Sequence, residues 1–306
     1  MRRLESHAMA DAPPLALIAG AGELPLWIAR SARARGRRVH AVALHGLAQP
    51  RFASEVDSCE WRHLGEITCI LDALARSGAR EVALAGKAPK ALLWQQREQV
   101  KPDARAQALL AGLSSHADDA LLAAVAELLE KEGFVLASQL EVAAGLVAPL
   151  GVIAGRALSE IEQREIAFGF PIARALGGLD VGQCVVVQNR AVLALEAIEG
   201  SDAAIARGLG FAERGRAACV VKVAKPNQDP RFDVPAIGPE TVRALAAGGG
   251  TALAVEAGCT LVLDLEEIAR EAQRAGIAVA GVSEHGLRTA KRERAVRGEP
   301  QASGGT

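Results

Sequence analysis

Side chains able to do chemistry gather in the second half of the chain. Lys222 and Lys225 bracket the end of an apolar run, Val220-Val221-Lys222-Val223-Ala224-Lys225. A polar loop follows, Pro226-Asn227-Gln228-Asp229-Pro230-Arg231-Phe232-Asp233-Val234-Pro235. Lysines beside phosphate oxygens, with carboxylates holding a hard cation, are what phosphoryl chemistry requires, because the cation polarises the phosphoryl group and neutralises developing charge. Asp233 stands between Phe232 and Val234-Pro235. An acid in such apolar company is a site candidate; the competing reading is a loop aspartate bonded to its own backbone. Upstream lies Glu196-Ala197-Ile198-Glu199-Gly200-Ser201-Asp202. Strand alternation sends Glu196 to the face of Val192 and Ala194, where a carboxylate should meet a cation or a metal. Asp202 has the alternative of capping the helix that follows.

Near the start, Gly20-Ala21-Gly22 follows a short apolar run and precedes a helix. Bare backbone lets a phosphate approach, and a helix N-terminus offers free N–H donors. The dinucleotide fingerprint needs a third small residue where this chain has Pro25, and an acid about 20 residues on. The second strand ends His40-Ala41-Val42-Ala43-Leu44-His45, without one. A nicotinamide-dependent oxidoreductase is therefore weakly supported, while a plain tight turn and phosphate binding by another arrangement both stay open. Pro25 suits the first turn of a helix, where no N–H is required. Glu23 opposes a bare anion site unless it turns away or meets a metal.

Composition narrows the field. The chain has 306 residues, a formal net charge of -1, no tyrosine and 3% aromatics. No basic field attracts nucleic acid, and no aromatic platform stacks bases. Five widely spaced cysteines without a C-x-x-C pair argue against disulfides and structural zinc, and for a reducing cytoplasm. The histidines lack ligand spacing, and neither a G-x-S-x-G elbow nor a P-loop signature occurs. No apolar stretch is long enough to span a bilayer. What is left is metal-assisted phosphoryl chemistry or a non-enzymatic binding protein.

The elements that must position these groups follow from period and punctuation. Strands are predicted at 15–19, 39–44 and 81–85, with helices at 26–35 and 66–77 between them, which means a parallel sheet covered by helices. The helix from Asp118 ends at Gly133, with Leu121, Leu122, Val125, Leu128 and Leu129 on one face; a strand around 134–137 follows. Between about 143 and 158 the chain is Gly-, Ala- and Pro-rich without period, and the domain boundary is set there. A helix at 160–175 precedes a hairpin whose strands, 184–188 and 192–197, flank Asn189-Arg190. Further strands are expected at 219–224, 251–255, 259–263 and 277–282, with helices at 202–209, 239–247 and 265–275. The tail after Leu287 is polar and basic, a solvated terminus or a contact with anionic headgroups.

Taken together, these pieces resemble the UDP-2,3-diacylglucosamine pyrophosphatases of the LpxI type, from lipid A biosynthesis. The resemblance rests on Leu17 to Pro25, Leu84 to Lys87, Asp118 to Leu122, Glu130 to Phe134, Leu179 to Gln183, Val192 to Asp202, Lys222 to Asp229 and Asp233 to Gly238. It departs from the family at Ala117, where glycine is common. It implies an α/β fold of two domains joined by a linker: a Rossmann-like parallel sheet on the nucleotide side, 14–142, and a mixed α/β catalytic domain, 158–286. It implies Mg²⁺-dependent hydrolysis of UDP-2,3-diacylglucosamine to UMP and 2,3-diacylglucosamine 1-phosphate, with water attacking the sugar-side phosphorus. Asp233 falls on the family's essential acid, as a metal ligand or water-positioning group. Lys225 and Lys222 would stabilise phosphoryl charge, and Glu196 is a second metal candidate. Gly20, Gly22, Lys87, Asp118, Asp119, Glu199 and Asp202 are assigned to substrate binding. A cytoplasmic enzyme peripheral to the inner membrane, with a homodimer as an expected assembly, completes the picture.

Overall fold

The computed structural model describes residues 12–88, 100–113 and 118–287; the leader and the basic tail lie outside them. The chain divides into two compact units. One holds Met1–Gly145 together with Asp229–Asp233, the other Leu146–Gln228 and Val234–Thr306.

The first unit is built on a parallel sheet. Its strands are β1 (Ala12–Ala19), β2 (Arg37–Leu44), β3 (Ser58–Arg62), β4 (Glu81–Ala85) and β5 (Val135–Leu136), in the order β3-β2-β1-β4-β5. Leu15, Ala16 and Leu17 of β1 are fully buried, as a strand covered on both faces requires. Helix α1 (Leu24–Ala34) carries Pro25 in its first turn. Helix α2 (Ile67–Arg76) buries Ile70, Leu71 and Leu74, the stripe its period predicts. Two elements escape the pattern. β3, Ser58-Cys59-Glu60-Trp61-Arg62, is a half-exposed edge strand with no apolar alternation. Helix α3 (Ala104–Ala111) is short and weakly patterned, and Asp103 caps it by accepting from the Ala106 N–H. Helix α4 (Asp118–Lys131) and the short helix α5 (Gln139–Val142) complete the unit.

The second unit carries a six-stranded mixed sheet, β6-β13-β11-β9-β7-β8, from β6 (Gly151–Gly155), β7 (Cys184–Gln188), β8 (Ala191–Leu195), β9 (Cys219–Lys222), β11 (Ala252–Glu256) and β13 (Ala278–Val282). The β7–β8 turn is the predicted one: Asn189 and Arg190 both take left-handed φ, 53° and 55°, as a two-residue hairpin turn demands. Alternate residues of the sheet enter two cores. Val185, Val187, Cys219 and Val221 pack with Ile166 and Phe170 of helix α6 (Glu160–Gly178). Cys184, Val186, Val220 and Leu253 pack with Ile205, Leu245 and Ile268, from helices α7 (Ser201–Leu209), α8 (Pro239–Ala247) and α9 (Leu265–Ala275). β6 lies in the stretch read as aperiodic. It is an edge strand antiparallel to β13, and its neighbourhood depends on bare backbone, since a Cβ on Gly281 would lie 1.8 Å from Pro149 O. The expected strand at 259–263 reduces to β12 (Leu261–Val262), paired in parallel with β10 (Ala236–Ile237). Among the described residues no helix is long and apolar enough to cross a membrane.

Candidate active site

In the first sheet the strand order reverses at β1 and β4. Open α/β sheets hold ligands beyond the carboxyl ends of the strands at such a switch point, and Gly20, Gly22 and Lys87 all stand there. The Gly20 N–H donates to Ala85 O at 2.8 Å, the Ala21 N–H to Lys87 O at 2.8 Å, and the Lys87 N–H to Ala21 O at 2.9 Å. A Cβ on Gly20 would lie 2.8 Å from Lys87 O, so glycine is needed there for the two turns to pair. Gly22 is different: its φ is 94°, nothing lies within 4 Å of where a Cβ would stand, and it is exposed. Its backbone, just ahead of α1, is the part of the turn open to an anion. Glu23, which opposes such a site, is engaged by Arg51 at 2.5 Å and by Gln49 Nε2 at 2.7 Å. No motif marks Arg51 or Gln49 in the sequence; the fold alone brings them to the glycine turn.

An apolar cavity of about 180 Å³ extends from the same place. It begins at Gly20, Gly86 and Lys87 and is lined further by Ile18, Leu84, Ile70 and Val125, with other side chains of α2, α3 and α4. Protein interiors rarely leave voids much larger than a water molecule. A pocket lined this way, mostly by apolar side chains with a few polar groups at one end, suits a ligand with an apolar part.

Asp229–Asp233 form a strap that belongs to this unit. Phe232 is buried in the first unit's core cluster with Leu44, Ile70, Leu71, Leu84 and Leu129, all of which also line the cavity. Arg231 forks onto Asp229 through Nε and Nη2, at 2.7 to 3.1 Å, and reaches Glu130 Oε1 through Nη1 at 2.6 Å. Its guanidinium holds the Asp229 carboxyl below the usual range, against the opposing effect of burial. Asp233 follows with φ 55°, exposed between buried Phe232 and Val234. Aspartate tolerates this left-handed conformation better than most residues.

The remaining candidates lie in the second unit. Lys222, at the end of β9, is buried and donates from Nζ to Ala236 O at 2.8 Å. Lys225 Nζ meets Asp180 Oδ1 at 2.7 Å. The residue before it is fixed by a group the sequence does not advertise: buried Glu256 accepts from the Ala224 N–H at 2.9 Å and from Arg174 at 3.1 Å. Glu196 is buried, and among the described residues it makes no ion pair with lysine or arginine. Its oxygens accept from the Gln183 N–H at 3.0 Å and the Ser201 hydroxyl at 2.8 Å, so neutral donors satisfy it. Glu199 pairs with Arg207. Asp202 does not cap α7; it lies in the first turn and accepts from Thr241 Oγ1 at 3.1 Å. The side chains of Asp118 and Asp119 lie outside the described residues.

Among the described residues no three His, Cys, Asp or Glu side chains are grouped to hold a metal ion. Magnesium is usually bound through one or two carboxylates together with waters and substrate phosphates, not by an all-protein cage. Exposed Asp233 fits that donor set. Glu196, buried, fits it less well.

The chain is similar to known proteins along almost its whole length. The LpxI N-terminal domain matches residues 14–146 and the LpxI C-terminal domain residues 149–280. A protein of Caulobacter vibrioides, UDP-2,3-diacylglucosamine pyrophosphatase LpxI, is 34% identical over 281 residues, covering 88% of this chain and 97% of the relative. Among solved structures, the biotin carboxylase domain of Hydrogenobacter thermophilus 2-oxoglutarate carboxylase matches 60% of this chain and 36% of its own. Its identity is 12% and its TM-score 0.27, too distant a likeness to bear on fold or function. With both domains matched in order and a relative this similar from end to end, the chain belongs to the LpxI family.

Proposed function

We propose that this protein hydrolyses the diphosphate of UDP-2,3-diacylglucosamine in lipid A synthesis, giving UMP and 2,3-diacylglucosamine 1-phosphate. The observation that carries this reading is the apolar cavity running from the switch-point turns. A sugar nucleotide bearing two acyl chains needs an anion-tolerant turn and an apolar slot side by side, and the Gly20-Ala21-Gly22 turn beside the apolar cavity supports this reading. In this reading Gly22 and Arg51 face phosphate, and the cavity takes acyl chain. Lys222 and Lys225, in the second unit, are the residues that the family resemblance assigns to phosphoryl charge. The strand order is also that of dinucleotide-binding folds, but β2 ends at Leu44 with no acid for a ribose.

Asp233 would hold Mg²⁺ together with the substrate's phosphate oxygens. When bound, the cation polarises the phosphoryl group under attack and neutralises the charge that builds on it. The chain's own groups then bind the diphosphate, exclude bulk water from the acyl side, and orient one water at the sugar-side phosphorus. The water oxygen bonds to that phosphorus, the bond to the bridging oxygen breaks, and UMP leaves. The enzyme works in the cytoplasm at the inner membrane face, where its substrate's acyl chains reside.

The test is release of UMP from UDP-2,3-diacylglucosamine with Mg²⁺, repeated with Asp233→Asn. Turnover that is lost in the variant, and label from H₂¹⁸O appearing in the sugar phosphate, is the expected result. No UMP from the wild-type protein, or full activity in the variant, would overturn the reading.

A further inference from the structure

One residue bonds both to the strap carrying Asp233 and to the strand that leads into the switch-point turn. Gln139 is buried, 2% exposed. Its backbone N–H donates to Pro230 O at 2.7 Å, three residues before Asp233. Its side-chain Nε2 donates to Leu84 O at 2.6 Å, on the strand that runs directly into Gly86-Lys87. One residue therefore links the end of β4, with its switch-point turn, to the strap. The first bond costs α5 nothing. Gln139 is the first residue of that helix, after the Ser138 cap, and its N–H has no partner inside the helix. Arg231 on Glu130 and Phe232 in the core hold the same strap from its other sides.

We propose that Gln139 is a positioning residue for Asp233, setting where the carboxylate stands relative to the switch-point turns. The proposal rests on the reading of Asp233 as the essential acid. Gln139 itself touches no reacting atom. Its effect belongs in kcat, since a displacement of about 1 Å at a reacting group costs on the order of a hundredfold in rate.

Two variants separate its two bonds. Gln139→Met keeps length and packing, removes the side-chain amide and with it the donor to Leu84 O, and leaves the backbone N–H to Pro230 O in place. Gln139→Pro also removes the N–H to Pro230 O. Proline is tolerated at a first helical position, and Ser138 already has the extended backbone that a following proline requires, φ -67° and ψ 125°. The expected result is a fall in kcat of several-fold for Met and roughly a hundredfold for Pro, with KM moving less than about threefold. In an Asp233→Asn background the same substitutions should leave residual turnover unchanged, because residues acting through one group are not additive. A wild-type kcat in both variants, a change confined to KM, or an equal further loss on top of Asp233→Asn would each overturn the proposal. If Gln139→Pro does not fold, Gln139→Met alone carries the test, and a wild-type kcat in that variant overturns the proposal. Full activity in Asp233→Asn would instead strike the reading of Asp233, whatever Gln139 does.

Discussion

Lys222 shows how far residue type decides role. Lys222 is buried at the end of β9 with a single carbonyl as its partner among the described residues, so most of its donor capacity is unused there. Lys222→Met should leave the second unit as stable as before or up to about 2 kcal/mol more stable, read by urea unfolding. UMP release should fall by roughly a hundredfold if the charge serves the phosphates. A loss of stability without loss of turnover would assign Lys222 to packing. Glu196 is the opposite case. The sequence shows a carboxylate ending an apolar strand, but not that a backbone N–H and a hydroxyl wait for it. Donors from 13 residues upstream and 5 downstream are beyond what strand alternation can see.

Elements were legible where their signals are local. The Asn189-Arg190 turn, Pro25 in the first turn of α1, and the α2 stripe each need only a window of a few residues. Helix α6 adds a capping box, with the Ser159 hydroxyl on the Glu162 N–H and the Glu162 carboxylate on the Ser159 N–H. Burial works against the Glu162 charge, but the Arg156 fork at 2.6 and 2.7 Å and the Ser159 donors outweigh it, bringing the pKa from 4.5 down to about 2. Because the folded value lies below the unfolded one, the stabilisation is fully present above pH 4.5 and is lost as pH falls toward 2. Glu162→Gln should cost the second unit about 2–3 kcal/mol at neutral pH and flatten its acid limb over that interval, as followed by circular dichroism. An unchanged acid limb would mean the pair contributes nothing. Among the elements that were missed, β3 and β6 are edge strands. Half their backbone and one flank meet solvent, so their residues carry little apolar pattern to read.

At the scale of the whole molecule, the strap breaks the simple division of the chain. The two family segments meet near residue 147, yet Asp229–Asp233, far into the second, belong to the first unit. Cutting the chain at the segment boundary removes Phe232 from the core that lines the cavity. Phe232→Ala in the intact protein should therefore destabilise the first unit by about 3–4 kcal/mol and leave the second nearly unchanged. Hydrogen exchange, followed separately in β1 and β4 and in β9 and β11, distinguishes the two. Equal loss of protection in both sets, or in neither, would contradict the assignment of the strap.

The sequence by itself determined the α/β class, a parallel first sheet, the hairpin of the second, and a loop rich in lysine and acid near Asp233. All of these are encoded in period, turn chemistry and residue type over short stretches, and likeness to a family supplied the substrate. Only the tertiary structure decided what each candidate touches. Gly20 is required by Lys87 O and Gly22 stands open; Glu196 meets neutral donors; Arg51 covers Glu23; and the cavity collects side chains from three strands and three helices. Arg231 finds Glu130 across 101 residues, and Pro230 finds Gln139 across a similar span. The physical reason is that backbone period reports which face of an element is buried, whereas a site is made where elements distant in sequence are packed together.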